Sequence, residues 1–296
     1  MALPVYGGIE AGGTKMVLVT GDRRGHILER LTIPTMDPVS TCDQMIAFFR
    51  PRHIAALGIA AFGPIQPDPT RPRYGDILTT PKPGWRDFPL LSTLQSALQV
   101  PCCIDTDVNG AALGESVLGA AKGLKNCLYL TIGTGIGGGL ICEGNLVHGA
   151  QHPEWGHMLL RPHPSDPAPD GFCPYHKGCL EGLAGGPAIE KRWGVSAKQL
   201  PADHPAWALE AEYLAQVCVI AFMTVSPQMI LLGGGVMSQP GLLPLVRSLT
   251  AEKVNDYLVF SRDIPQMIRT PALFPLSGAY GALLLALRAG GISPDL

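Results

Sequence analysis

Cys173, His176 and Cys179 stand three residues apart in GFCPYHKGCLEG, and HPEWGHM just upstream adds His152 and His157. Thiolate and imidazole are the side chains that hold zinc, and four of them close a structural site. The same residues could instead form a disulfide loop or be unrelated neighbours. A second set lies in DTDVNGAALGE, where Asp105 and Asp107 are two apart. At the end of a strand such a pair faces one side, and a carboxylate there could take a proton from a substrate hydroxyl held by Asn109. The competing reading is that Asp107 or Asn109 only caps a helix beginning near Gly110.

Three glycine turns form the third set. GGTK (Gly12, Gly13, Thr14, Lys15) and GTGIGGG (Gly133, Thr134, Gly135 and on to Gly139) each follow an apolar run, and LGGGV carries Gly234 and Gly235. Glycine lets a backbone approach a ligand closely, and successive N–H groups in such turns make concavities for anions. No P-loop pattern occurs. GTGIGG is followed by apolar LICEG rather than by a long helix, so it is no dinucleotide fingerprint. Each turn alone could simply close a hairpin. Together they fit two lobes that each grip the phosphates of one nucleotide.

The elements that must position these groups follow from periodicity. VYGGIEAGGTKMVLVTGD reads as strand, glycine turn, strand, and HILERLTIPT as a third extended segment. STCDQMIAFFR has helical spacing, IAALGIAAFGPI is a buried strand running into a Gly-Pro loop, and Gln66 to Pro89 is a proline-rich loop. PLLSTLQSAL is helical, and PCCIDTDVNGAALGESVLGAAKG is a short strand followed by a helix. NCLYLTIGTGIGGGLICEGNL then repeats the opening design without being a sequence repeat. Helices around GPAIEKRWG and AWALEAEYLAQVCVIAFMTVS, the strand MILLGGGVM and a closing helix GAYGALLLALRAG complete the chain.

With 296 residues, 46% hydrophobic and 16% charged, the chain is an ordinary globular one, long enough for two lobes. Its net charge of -2 leaves no electrostatic footprint for nucleic acid or an anionic membrane. The N-terminus has no signal-peptide pattern, and the apolar run GALLLAL is too short for a bilayer. The expected compartment is the cytoplasm, where eight cysteines should stay reduced.

Taken in order, EAGGTK, TDVNGAALGE, TIGTGIGGG, HPEWGHM with CPYHKGCLEGLAGGPAIEKRWG, and LLGGGV resemble the motifs of the ROK sugar kinases, most closely the zinc-containing bacterial fructokinases. The resemblance covers nearly the whole chain. It implies an α/β, two-lobed actin/hexokinase-like (ribonuclease H-like) fold with a nucleotide cleft between the lobes. The lobes expected are 1–115, with the C-terminal helix 277–296 packing back on it, and 116–276. It implies Asp107 as catalytic base. Gly12, Gly13, Thr14, Lys15, Thr134, Gly135, Pro187, Gly234 and Gly235 would bind the nucleotide, and Gly63, Pro64, Asn109, Glu154, His157 and Glu181 the sugar. ATP and Mg2+ are the implied cofactors, with a structural Zn2+ on His157, Cys173, His176 and Cys179; His152 and His163 are the competing choices for its fourth ligand.

The implied substrates are D-fructose, with mannose as a second sugar, and ATP, in a homodimer that binds neither nucleic acid nor membrane. Two departures stand out: Glu10 replaces the family's usual aspartate before the glycines, and the cysteine-rich run is Cys173, His176, Cys179. HPEWGH also differs from the glucokinase-like GEIGH. A mannokinase or broad hexokinase is the alternative within the family. A sugar-sensing ROK regulator is the alternative from another class; it would need a helix-turn-helix segment, for which the strand starting near Val5 leaves no room.

Overall fold

The computed structural model describes residues 3–80 and 82–292. They divide into two compact units, the described residues of Met1–Gly123, Leu146–His152 and Ala272–Leu296 in the first, and Leu124–Asn145 with Pro153–Pro271 in the second.

In the first unit β1 (Tyr6–Ala11) turns back as antiparallel β2 (Lys15–Gly21), which pairs with β3 (Ile27–Pro34). On its other side β1 pairs in parallel with β4 (Leu57–Ala61), and β4 with β5 (Cys102–Thr106), for a sheet order β3-β2-β1-β4-β5. Strand alternation divides β2 between two cores: Met16 and Leu18 join one, Val17 and Val19 the other. The first core takes apolar residues of α1 (Pro38–Phe49) and α2 (Leu90–Leu98), with Trp85 from the proline-rich loop. The second takes α3 (Asp107–Val117) and the C-terminal helix.

The second unit has the same plan. β6 (Cys127–Ile132) and β7 (Ile136–Cys142) form the hairpin, the short β8 (Asn145–Leu146) flanks β7, and β9 (Met229–Gly233) and β10 (Ile268–Arg269) add in parallel beside β6. The order β10-β9-β6-β7-β8 is that of the first sheet read in the other direction. Its helices are α4 (Leu180–Ala184), α5 (Gly186–Trp193), α6 (Ala206–Thr224), α7 (Leu242–Val254) and α8 (Ile264–Met267). α6 is long and apolar enough to cross a membrane by length and composition, so the sequence holds a longer apolar segment than GALLLAL. Two thirds of its apolar stretch is buried within the protein, the position of a core helix packed on α4 and α7.

α9 (Ser277–Ala289) returns to the first unit. It lies directly on the sheet because glycines leave room: a Cβ on Gly58 would strike the backbone of Ala282, and one on Gly281 the backbone of Gly110 in α3. The helix is shorter than the expected 277–296, and Ser293 to Leu296 lie outside the described residues.

Three local expectations change. α3 starts at Asp107 rather than near Gly110, and its N-cap is Thr106, whose hydroxyl accepts the Asn109 N–H at 3.1 Å. Asp107 is therefore helical, and the strand argument for its sharing a side with Asp105 does not apply. α7 adds a helix to those expected; Pro244 interrupts its apolar pattern yet is tolerated in a first turn, where its missing N–H has no helical partner. The two-residue strands β8 and β10 are too short to leave a periodicity.

Candidate active site and metal group

The first glycine turn joins β1 to β2. Its carbonyls are committed to the protein: Gly12 C=O accepts from the Thr35 hydroxyl (2.8 Å), Thr14 C=O from Thr35 N–H (3.0 Å), Lys15 C=O from Gly12 N–H (3.1 Å), and Gly13 C=O from the Lys82 ammonium. In a trans peptide the N–H points opposite the preceding carbonyl. The N–H groups of Gly13, Thr14 and Lys15 are therefore aimed away from Thr35 and Lys82, as an anion-binding turn requires. A Cβ on Gly13 would meet nothing within 4 Å, so the fold itself does not demand glycine there.

Glu10, one residue before Ala11 at the end of β1, is half-buried, with its carboxyl end turned inward. Burial first, and then the nearby Asp107 carboxylate, push its pKa up to about 7; Lys15 and the Ala279 N–H at the start of α9 pull the other way. Gly278 has no side chain because a Cβ would lie 2.7 Å from the Glu10 carboxyl carbon. Glu10 Oε2 is buried without a hydrogen-bond partner among the described residues. Two carboxylates close enough to repel, one with an unmatched oxygen, are a donor set suited to a hard divalent cation.

Asp107 is half-buried at the first position of α3, with Oδ1 accepting the Val108 N–H at 2.9 Å. Asp105, at the end of β5, is buried and accepts three hydrogen bonds: from Thr106 N–H (2.8 Å), Asn109 Nδ2 (2.7 Å) and His148 Nε2 (2.9 Å). The Asp105 carboxylate holds the His148 imidazole above its usual range. Asn109, expected to hold the sugar, is fully buried, and its amide serves Asp105. Gly63 and Pro64 follow β4, and a Cβ on Gly63 would face the buried His152 ring at 3.5 Å.

In the second unit the hairpin turn exposes Thr134 and Gly135. Gly133 C=O accepts from Gly186 N–H (2.7 Å), which anchors the start of α5, beside Pro187, to the turn. Glu181 Oε2 accepts the Ile136 N–H at 2.9 Å, so this expected sugar ligand sits at the foot of the same turn. After β9, Gly234 has φ +92°, and a Cβ there would collide with the backbone of Ile132; Gly235 borders open space. Gly234 is thus a requirement of the fold, while Gly235 leaves room for a ligand.

The cysteine–histidine cluster assembles. Ligand atoms of His157, Cys173, His176 and Cys179 all lie within 4.8 Å of one another. His157 Nδ1 is 3.9 Å from Cys173 Sγ and 3.8 Å from Cys179 Sγ, and His176 Nδ1 is 3.7 Å from Cys173 Sγ. Tetrahedral zinc with its usual bond lengths sets such atoms roughly 3.6 Å apart, so the group fits that ion. Local pairing brings the ligands together: Leu180 N–H donates to Met158 C=O and Leu160 N–H to Gly178 C=O. Glu154 and His157 bracket a single 3-10 turn, closed by the His157 N–H to Glu154 C=O bond, and Gly156 lets that turn lie against Ile136 of β7. Of the two competing histidines, His152 packs on Gly63, and His163 hydrogen-bonds Ser165 Oγ at 2.7 Å; neither is in the group.

Two residues that no motif singles out also stand here. Lys82, from TPKPGW in the proline-rich loop, reaches the first turn. His148, in NLVHG, closes the hydrogen bonding of Asp105. A lysine between prolines is the one available signal for the first; the second has none.

Two sheets of one topology, each headed by a glycine hairpin, define an α/β class of protein, and likeness to known proteins narrows it. The ROK family matches over residues 6–289, and the chain belongs to that family. It is 44% identical to the fructokinase of Pediococcus pentosaceus over 288 residues, 96% of this chain and 98% of that one. The ROK hexokinase of Thermus thermophilus superposes with a TM-score of 0.80 at 27% identity, covering 96% of this chain and 98% of the other. A ROK glucokinase of Streptomyces griseus, solved with glucose and AMPPNP, gives 0.74 at 23% over 97% and 100%. The fold is the two-domain actin/hexokinase-like one.

Proposed function

We propose that this ROK sugar kinase is a fructokinase that transfers the γ-phosphoryl group of ATP to the 6-hydroxyl of D-fructose. The observation that carries the sugar assignment is the likeness to the Pediococcus fructokinase along almost the entire length of both chains. The glucokinase complex with AMPPNP supports ATP as donor.

The chemistry is an in-line displacement. The fructose O6 lone pair forms the new bond to phosphorus, the bond to the β–γ bridging oxygen breaks, and ADP leaves with that electron pair. Asp107 accepts the O6 proton. The N–H groups of Gly13, Thr14 and Lys15, the Lys15 ammonium, and Thr134 with Gly135 hold the phosphates; Gly12 shapes the first of these turns. Pro187, Gly234 and Gly235 receive the nucleoside. Glu154, His157 and Glu181 hydrogen-bond the sugar, and Gly63 and Pro64 are assigned to the same substrate. Asn109 has no surface to offer a hydroxyl, and its part is taken up below.

Mg2+, which Glu10 and Asp107 would help to hold, would supply charge neutralisation on the phosphates. Zinc on His157, Cys173, His176 and Cys179 would have four protein ligands and no open position, so its contribution is structural. His157 turns Nδ1 to the thiols, which leaves Nε2 for a sugar hydroxyl. Holding His157 also holds Glu154, at the other end of the same turn.

The test is ADP release measured over a panel of hexoses, with the product then identified. Fructose should give the highest kcat/KM and yield fructose 6-phosphate. A higher kcat/KM for mannose or glucose, or phosphorylation at another hydroxyl, would overturn the assignment.

A further inference from the structure

Asp105 is a buried carboxylate at the end of a strand, where an apolar residue would serve the sheet at lower cost. A buried charge is retained only if it is hydrogen-bonded on all sides, and here the bonding is specific. Oδ1 accepts from the Thr106 N–H and from Asn109 Nδ2, and Oδ2 accepts from His148 Nε2, contributed by a segment 43 residues away. A carboxylate can only accept, so the Asn109 amide must turn its NH2 toward Asp105 and its Oδ1 away. That Oδ1 is buried with no partner among the described residues. Asn109 Nδ2 and His148 Nε2, 3.3 Å apart, are both donors converging on one acceptor group.

Capping does not explain this arrangement, because α3 is already capped by Thr106. What the bonds enclose is Asp107. It is two residues after Asp105 and two before Asn109, and the Asp105–Asn109 bond spans it. The strand end and first helical turn that carry Asp107 are tied together, and His148 braces the tie from outside. Other charged or titratable groups around the network are Asp68, near His148, and Arg288, Tyr74 and Cys103, near Asp105.

We propose that Asp105, Asn109 and His148 form a positioning network that holds Asp107 in its proton-accepting orientation. The inference rests on the reading of Asp107 as the base. His148 acts through Asp105 and Asn109, not on the substrate. Loss of the brace lets the carboxylate of Asp107 drift, and misplacement of a reacting group by about 1 Å can cost about 10²-fold in rate.

The experiment is a double-mutant cycle with a conservative rescue. His148→Ala should lower kcat roughly 10- to 100-fold while KM for fructose and ATP stays within about twofold. His148→Gln, which keeps a donor on that side of Asp105, should restore most of the lost kcat. Asp107→Asn with His148→Ala should be no slower than Asp107→Asn alone, because there is no base left to misplace. Losses that multiply in the double variant would show that His148 acts independently of Asp107, and the inference would be wrong. Wild-type kcat in His148→Ala would overturn it equally. If His148→Ala does not fold, His148→Gln and Asn109→Ser carry the same comparison, with thermal melts to confirm folding. Near-wild-type turnover in Asp107→Asn alone would mark failure of the base assignment itself, and the inference would fall with it.

Discussion

The β1–β2 hairpin and the β6–β7 hairpin head sheets of one topology, and both close with an exposed glycine turn. Around the first are gathered Glu10, Asp107, Lys15 and Lys82, two of them carboxylates that repel each other and two of them cations. At the second, Glu181 is bonded to the turn, and it accepts a backbone N–H. The first hairpin is surrounded by charged side chains; the second is joined through Glu181 and Gly186 to the helices that follow the cysteine–histidine group. One backbone plan thus carries two different sets of side chains. The difference lies in the side chains just outside each turn, not in the turn itself.

That contrast can be broken at several points. The largest effect should come from the first hairpin's neighbour: Asp107→Asn should lower kcat by about 10²- to 10⁴-fold, the usual worth of a general base. Steady-state turnover with fructose measures it, and near-wild-type turnover would move the base elsewhere, with Asp105 next to be tried.

Near the second hairpin the expected loss is of stability and sugar affinity. Elemental analysis should find about one zinc per chain, and Cys179→Ser or chelation should lower the melting midpoint, because metal binding is coupled to folding of the loop. A loss of even 2 kcal/mol corresponds to roughly 4–8 °C for a large domain. Fructose affinity should fall with it, through release of His157 and Glu154. A zinc-free protein that melts normally and binds fructose normally, yet does not turn over, would put the metal in the reaction instead.

Glu10 offers a pH signature. Its folded-state pKa lies near 7 against 4.5 for the ordinary group, so the folded protein binds the proton more tightly than the unfolded chain does. Stability from this residue is present at low pH and declines as pH rises from about 4.5 to about 7. Relative to Glu10→Gln, the wild type should lose stability on the order of 2–3 kcal/mol between pH 5 and pH 8. Parallel denaturation curves at the two pH values are the check; identical pH dependence in both proteins would mean that Glu10 is not held in this way.

The smallest effects separate glycines of the fold from glycines of the ligand. Gly234→Ala forces a Cβ into the Ile132 backbone at positive φ and should cost about 1–3 kcal/mol of stability. Gly13→Ala meets open space, so the melting midpoint should hold while KM for ATP rises. A stability loss in Gly13→Ala equal to that in Gly234→Ala would erase the distinction.

Much of this architecture is legible in the residues themselves. Both hairpins show as apolar runs broken by glycine, and α1, α2, α6 and α9 show as helical periods or apolar runs of helical length. Asp107 and the thiol ligands are visible as a strand-to-helix junction and a tight Cys/His spacing. Other features are not, for physical reasons. Spacing alone does not choose among His152, His157 and His163, because the choice depends on how residues 158–160 pair with 178–180. Pro244 hides α7. Asp105 reads as one more acidic residue until His148, 43 positions on, is seen to donate to it. The burial of Glu10 is set by α9, whose Gly278 and Ala279 come from the far end of the chain.

On the proposed mechanism, Asp107 takes the proton and other side chains bind the sugar. Calorimetric titration of fructose into Asp107→Asn tests it most directly. The affinity should stay within about threefold of the wild type, beside a turnover lowered by about 10²- to 10⁴-fold. An affinity that falls in step with turnover would contradict it, because Asp107 would then be holding the sugar rather than taking its proton.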